Sequence, residues 1–470
     1  MKRVATVFLA CIMLISMFAG CTSKKAPEQA AVTPTQAAAA STQADKQTDP
    51  KKAVEISAWV GPAWKGVFDA TDPSANFGDF HKYAAKKYMD LNPNTKINVE
   101  VIGPEERTEK LTIAVQSNTM PEIFFDTPMA LFDYAHAGLL VPLNDIVTDE
   151  DKADISQATW DDVTIADKIY MFPFNAETGH LAVNVSLFKA LGKENVLPAG
   201  DGMIKWTPEE FKNVLKAVSG QKDFYPFGVY CGSTAGDTWT NILIRMFGGS
   251  FFNKEGTEII LNQPDGVNGL AFLKDLQKEN LLAPGIQSMV IGDVLTMFLN
   301  KKLAVSVFNN LNYNNLLQGL KDGSIQEPFE LRWAYFPSEK DPMCFAYTKG
   351  SVVFDVENKD NVAVAKDFVK FYSSDPELVG ASTQLAPFRK SVADKVMKSD
   401  PTQALLSESL KYQVSYSQNV PGYLQLRTFF FPELQAVFTD QKTPQEALDS
   451  FVEKGNKTLK TNVEKSKLLK

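Results

Sequence analysis

Between Val54 and Asp126 the spacing of apolar residues alternates between two and 3.6, and this alternation limits the fold more than any other feature of the chain. Val54 to Val60 reads as a strand. Phe80, Tyr83, Ala84, Tyr88 and Leu91 then share one helical face, and Asn92-Pro93-Asn94 ends that helix. Ile97, Val99 and Val101 alternate as a second strand. A helix is expected from Glu105 to Ser117, and a short strand from Glu122 to Asp126 after Pro121. Strands separated by helices in this order predict a parallel sheet covered by helices.

The rest of the chain repeats the style. Lys168 to Phe174 and His180 to Val185 read as two strands, and Leu303 to Phe308 as a third. Thr207, Pro208 and Glu210 form a helix start: a hydroxyl to cap the first free N–H groups, a proline that needs no donor, and a carboxylate to close the box. Phe211, Val214, Leu215 and Val218 give that helix its core face, and Gly220 ends it. Thr443, Pro444 and Glu446 repeat the device near the end, ahead of Ala447, Leu448, Phe451 and Val452. Further helices are expected near Asp265–Lys278, Val290–Asn300 and Asn361–Tyr372. The class is α/β, without an internal repeat.

The first residues read as a targeting segment. Lys2 and Arg3 precede an apolar run, Val4 to Met17, too short to span a membrane comfortably. Phe18-Ala19-Gly20-Cys21 resembles the bacterial lipoprotein processing site, with Phe18 where leucine is usual. The resemblance implies cleavage of residues 1–20 and diacylation of Cys21. Residues 21–52 are rich in Ala, Gln, Thr, Ser and Lys and read as a disordered tether. Of the 4 cysteines only Cys231 and Cys344 then belong to the body, where a disulfide and two buried free thiols are both open.

The net charge of the whole chain is -8, and loss of Lys2 and Arg3 with the leader makes it more negative still. Such a body is a poor electrostatic match for nucleic acid. Enzyme signals are scarce. The 3 histidines, His81, His136 and His180, lie far apart, and no metal-ligand spacing, nucleophile elbow or phosphate loop occurs. Asp69, Asp72 and Asp79 lack the spacing of a calcium loop and read as solvated surface. No catalytic residue, metal or cofactor is expected.

Seven stretches in order resemble the extracellular solute-binding proteins of carbohydrate ABC importers, the family that includes maltose-binding protein. They are Asn118–Phe125, Ala137–Leu143, Tyr170–Asn184, Trp206–Phe211, Gly248-Gly249, Phe298–Val307 and Thr443–Leu448. The resemblance implies a two-lobe periplasmic-binding-protein-like fold with hinge strands and a C-terminal helical part. Lobe one is expected from residues 53–168 with 335–385, and lobe two from 169–334 with 386–470. It also implies a monomer, anchored by lipid to the outer face of the cell membrane, that binds a sugar and hands it to ABC permease subunits.

A sugar presents apolar C–H faces and a ring of hydroxyls, so its site needs flat aromatics beside polar groups. Trp59 and Trp64 follow the first strand; Trp239 and Tyr313 fall where sugar-binding relatives carry cleft aromatics. Asp126 ends a strand and is a ligand candidate or a helix cap. Asn175 and Glu177 on the hinge, Asn309 and Asn310 at a strand end, and Arg427 complete the candidates. Arg427 replaces an aromatic of the maltose type and suits hydroxyls or an anionic sugar. Trp206 and Trp333 are assigned to structure, and Trp160 is left open. Three alternatives remain: the same fold holding a polyamine, peptide or anion, a secreted carbohydrate-active hydrolase, or a sensor lipoprotein that hands its ligand to a signalling receptor.

Overall fold

The computed structural model describes residues 53–68, 72, 74–232, 236–325, 328–381, 385–396 and 401–469. The expected leader, tether and Cys21 lie outside the described residues, as does Asp69. The strands are β1 (Val54–Val60), β2 (Thr95–Val101), β3 (Ile123–Asp126), β4 (Thr164–Ile165), β5 (Lys168–Ile169), β6 (Phe172–Asn184), β7 (Tyr225–Gly228), β8 (Leu303–Asn309), β9 (Leu331–Ala334), β10 (Phe345–Val353) and β11 (Ala386–Pro387).

The alternating start folds as its periods dictate. β1 pairs in parallel with β2 and with β3. Ile56, Ala58 and Val60 turn one face of β1 into the core. The helix Asp79–Leu91 buries Phe80, His81, Ala84, Ala85 and Tyr88. Leu91 departs from the expected face: as the last residue of the helix it is 66% exposed. Both capping boxes form. Thr207 accepts from the Glu210 N–H and Thr443 from the Glu446 N–H, and each glutamate side chain accepts from the N–H of its cap.

The largest departure is in the middle of the chain. Two strands were expected between Lys168 and Val185; instead β5 closes a small hairpin with β4, and β6 runs unbroken for 13 residues. The polar stretch Asn175 to Thr178 reads locally as a break, but neighbours on both sides hold it extended. The first half of β6 pairs antiparallel with β10, and its second half with β8 and β9. Gly179 is the changeover, opposite Phe345 on one side and Asn309 on the other. A Cβ there would lie 2.2 Å from the Phe345 ring, so any larger residue must push that ring aside.

One sheet thus runs β2-β1-β3-β10-β6-β8-β7, with β9 and β11 also on β6. β6 joins β10 on one side of the sheet to β8 and β9 on the other, and residues 52–470 cluster as one unit by their contacts. Helices Tyr423–Phe438 and Pro444–Lys465 pack on each other, and the latter packs on Pro264–Lys278. They form the C-terminal helical part. Cys231 and Cys344 are both buried and free; burial pushes each thiol up to about 12.

Candidate functional site

Open α/β sheets form crevices beyond the C-terminal ends of their parallel strands. β1 ends at Val60 and β3 at Asp126, and a cavity of about 300 Å³ opens there. Gly61, Pro62 and Ala63 leave β1 along one wall; Asp126, Thr127 and Met129 leave β3 along the same side. The floor is Glu177 of β6 with Tyr347 and Lys349 of β10. Strand alternation puts these three on one face, with Tyr347 opposite Glu177 and Lys349 opposite Asn175.

Charge is arranged in pairs. Arg107, from the helix Pro104–Ser117, bonds Asp126 at 2.7 Å, and both side chains are largely withdrawn from water. Gly61 admits this arrangement, since a Cβ there would lie 3.0 Å from the Asp126 carboxylate. Asp126 also accepts from the Thr127 N–H at 2.8 Å, but Thr127, not Asp126, is the cap of the helix Pro128–His136, so of its two expected roles Asp126 keeps the place on the cavity wall. Asn309 donates to Glu177 at 2.7 Å. Burial raises the Glu177 carboxyl above its usual range, partly offset by Lys349. The Lys349 ammonium makes no ion pair or hydrogen bond with a described residue. Arg427 is half-buried and directs one guanidinium nitrogen at the Met129 sulfur, 3.2 Å away.

Four candidates need correction. Trp64 is 4% exposed and packs among Phe80, His81, Phe125 and Phe174. Trp239 is 2% exposed, with Phe345 edge-on at 4.7 Å and Phe336 at 6.0 Å. Each extends an apolar face already in the core, and burying that face outweighs presenting it to a ligand. The expected caps beside Trp239, Asp237 and Thr238, have side chains outside the described residues. Trp59 is half-buried on the other face of β1 from the core residues, edge-on to Phe124 and clear of the cavity. Asn310 is fully buried; it accepts from the Thr178 N–H and donates to the Ala176 carbonyl, bracing β6.

The other candidates divide. Asp126 and Glu177 line the cavity, and Asn309 reaches it through Glu177. Asn175 has 0% exposure and neither amide atom is partnered. Tyr313 packs edge-on to Trp333 at 5.8 Å, outside the lining. Trp206 donates to the Tyr335 carbonyl and Trp333 is buried in β9, as expected of structural residues. Trp160 is buried in the helix Gln157–Asp162. Sequence reasoning missed Arg107, Met129, Tyr347 and Lys349; the period-two run Phe345, Tyr347, Lys349 was the available signal for β10.

A larger opening of about 620 Å³ is lined by Asp161, Asp162, Asp167, Gln413 and Asn419 among others. Its buried Asp162 carboxylate is satisfied internally by Thr348 and Gln413. The three histidines are buried and separate: His81 bonds Tyr372, His136 bonds Ser466, and His180 bonds Ser409. Among the described residues no group of three metal-ligating side chains is assembled.

A family model described as bacterial extracellular solute-binding protein matches residues 71–377. A binding protein of Brucella abortus (strain 2308) is 24% identical over 234 residues, 50% of this chain and 55% of the relative. The likeness thus spans about half the length of such curated relatives. Among solved structures, the cyclic α-maltosyl-1,6-maltose binding protein of Arthrobacter globiformis is 19% identical, with a TM-score of 0.70 over 87% of this chain and 99% of that one. An ABC transporter solute-binding protein of Thermotoga lettingae, bound to α-D-tagatose, is 19% identical with a TM-score of 0.66 over 86% and 99%. At such identities the likeness is one of fold. The family match covers more than half of the chain, and the chain belongs to the bacterial extracellular solute-binding proteins.

Proposed function

We propose that the chain captures a sugar or oligosaccharide outside the cell and delivers it to an ABC importer. The observation that carries this reading is the cavity at the ends of β1 and β3, floored by the shared strand β6 and its partner β10. A ligand there touches both halves of the sheet, so its binding favours closure of residues 53–168 with 335–385 onto residues 169–334 with 386–470. Hinge closure is the general motion of periplasmic binding proteins. Asp126, Glu177 and Asn309 supply acceptors and donors for hydroxyls, Arg107 and Lys349 supply further donors, and Tyr347 offers a ring. That one solved relative is bound to α-D-tagatose and another is a cyclic α-maltosyl-1,6-maltose binding protein supports a sugar over a polyamine or peptide. No bond is made or broken in this role, and no cofactor takes part.

The same reading includes secretion, cleavage before Cys21, a lipid anchor on the outer face of the cell membrane, and action as a monomer. A thermal-shift screen of the purified protein against a carbohydrate panel tests it. A ligand that binds only the folded state raises Tm by mass action. A rise with one or more sugars, together with no conversion of the sugar on long incubation, supports transport binding. A panel that leaves Tm unchanged, or steady formation of product, overturns it.

A further inference from the structure

The four charged side chains around the cavity are not all in contact pairs. Asp126 is committed to Arg107 at 2.7 Å, and Glu177 accepts from Asn309 at 2.7 Å. Lys349 stands half-buried on the floor between them, and no carboxylate oxygen of a described residue comes within 4 Å of its ammonium. Directly across the strand pair, the wholly buried Asn175 leaves both amide atoms without a partner. A half-buried ammonium with no acceptor in contact, across from an amide with two open positions, leaves donors for a ligand to use. The aromatic side tells the same story. Trp64 and Trp239 are in the core, which leaves Tyr347 as the cavity's main exposed ring. Stacking is therefore a small part of what this site offers, and charge a large part.

We infer that the cleft takes an acidic sugar, one carrying a carboxylate or a sulfate ester, and that Lys349 selects it. This rests on the sugar-capture reading above. The ammonium is a compact point charge with three donors, suited to a single anionic group on a pyranose ring. Asp126 and the Asn309–Glu177 pair remain for the hydroxyls.

Calorimetry on the full chain compares digalacturonate and trigalacturonate, a sulfated glucose, and the neutral maltotriose and cellotriose. The expected result is binding of an anionic sugar that weakens at high ionic strength, with the neutral sugars at least about tenfold weaker. Lys349→Met is expected to weaken the anionic sugar about tenfold or more while leaving Tm near the parent, and Lys349→Arg to retain most of the affinity. Uronates and the sulfate ester separate the two sources of charge. Binding of neutral sugars with none of the anionic ones overturns this inference and leaves sugar capture standing. Anionic binding that survives Lys349→Met removes the role of that residue. Failure of every sugar overturns both readings.

Discussion

Asn309 donates its side-chain N–H to the Glu177 carboxylate at 2.7 Å, while its own side-chain oxygen accepts from the Asn312 N–H at 2.8 Å. One asparagine thus caps the helix Asn310–Asp322 and holds the acid at the hinge. The helix start and the cavity floor are fixed by the same residue.

Glu177→Gln keeps an acceptor for Asn309 and removes the charge. Burial raises the Glu177 carboxyl, so the ionised form opposes folding. The variant is expected to melt at or above the parent temperature and to bind its sugar about tenfold or more weakly, the scale of one charged hydrogen bond. Calorimetry and a thermal melt on the same sample check both halves.

Trp239→Ala is expected to act on stability. The ring is 2% exposed and set edge-on against Phe345. Truncating a buried tryptophan costs about 3–5 kcal/mol. Denaturant titration reads the loss directly; a variant as stable as the parent would return Trp239 to the cleft.

Gly179→Ala tests the changeover in β6. The added methyl meets the Phe345 ring at 2.2 Å and must push it aside. Overpacking of this kind costs about 1–3 kcal/mol. The loss is expected to shrink in Gly179→Ala with Phe345→Leu, because the smaller side chain vacates the position; a double-mutant cycle measures the coupling.

Acid should destabilise the fold below neutrality. Burial lowers His81 and His180 to about 3 from an ordinary value of 6.5. Between those values the unfolded chain binds more protons than the folded one, so stability rises with pH across that window. The contribution is complete above 6.5 and is lost as pH falls toward 3. Each histidine contributes a slope of up to about 1.4 kcal/mol per pH unit. Tm measured from pH 7.5 to 4 in His180→Gln is expected to fall less steeply than in the parent; an identical slope would refute the assignment.

The sequence alone determined the elements whose causes are local. Thr207 and Thr443 cap their helices because hydroxyl, proline and glutamate sit within four residues of each other. The start from β1 to β3 was legible because each period is complete within its own segment. Asp126 and Glu177 were legible as polar residues at a strand end and on the hinge, and both line the cavity. Tertiary structure decided the rest. Whether Asn175 to Thr178 breaks a strand depends on β10 and β11, which lie far along the chain. Trp64 and Trp239 have spacings that serve a core and a cleft equally well, and packing against residues from distant strands, Phe174 and Phe345 among them, buried them. Lys349 gains its place on the floor from cross-strand register with Asn175. A side chain's face is set by its own neighbours in sequence, but what that face meets is set by pairing between segments, and that pairing is written in no single stretch of the chain.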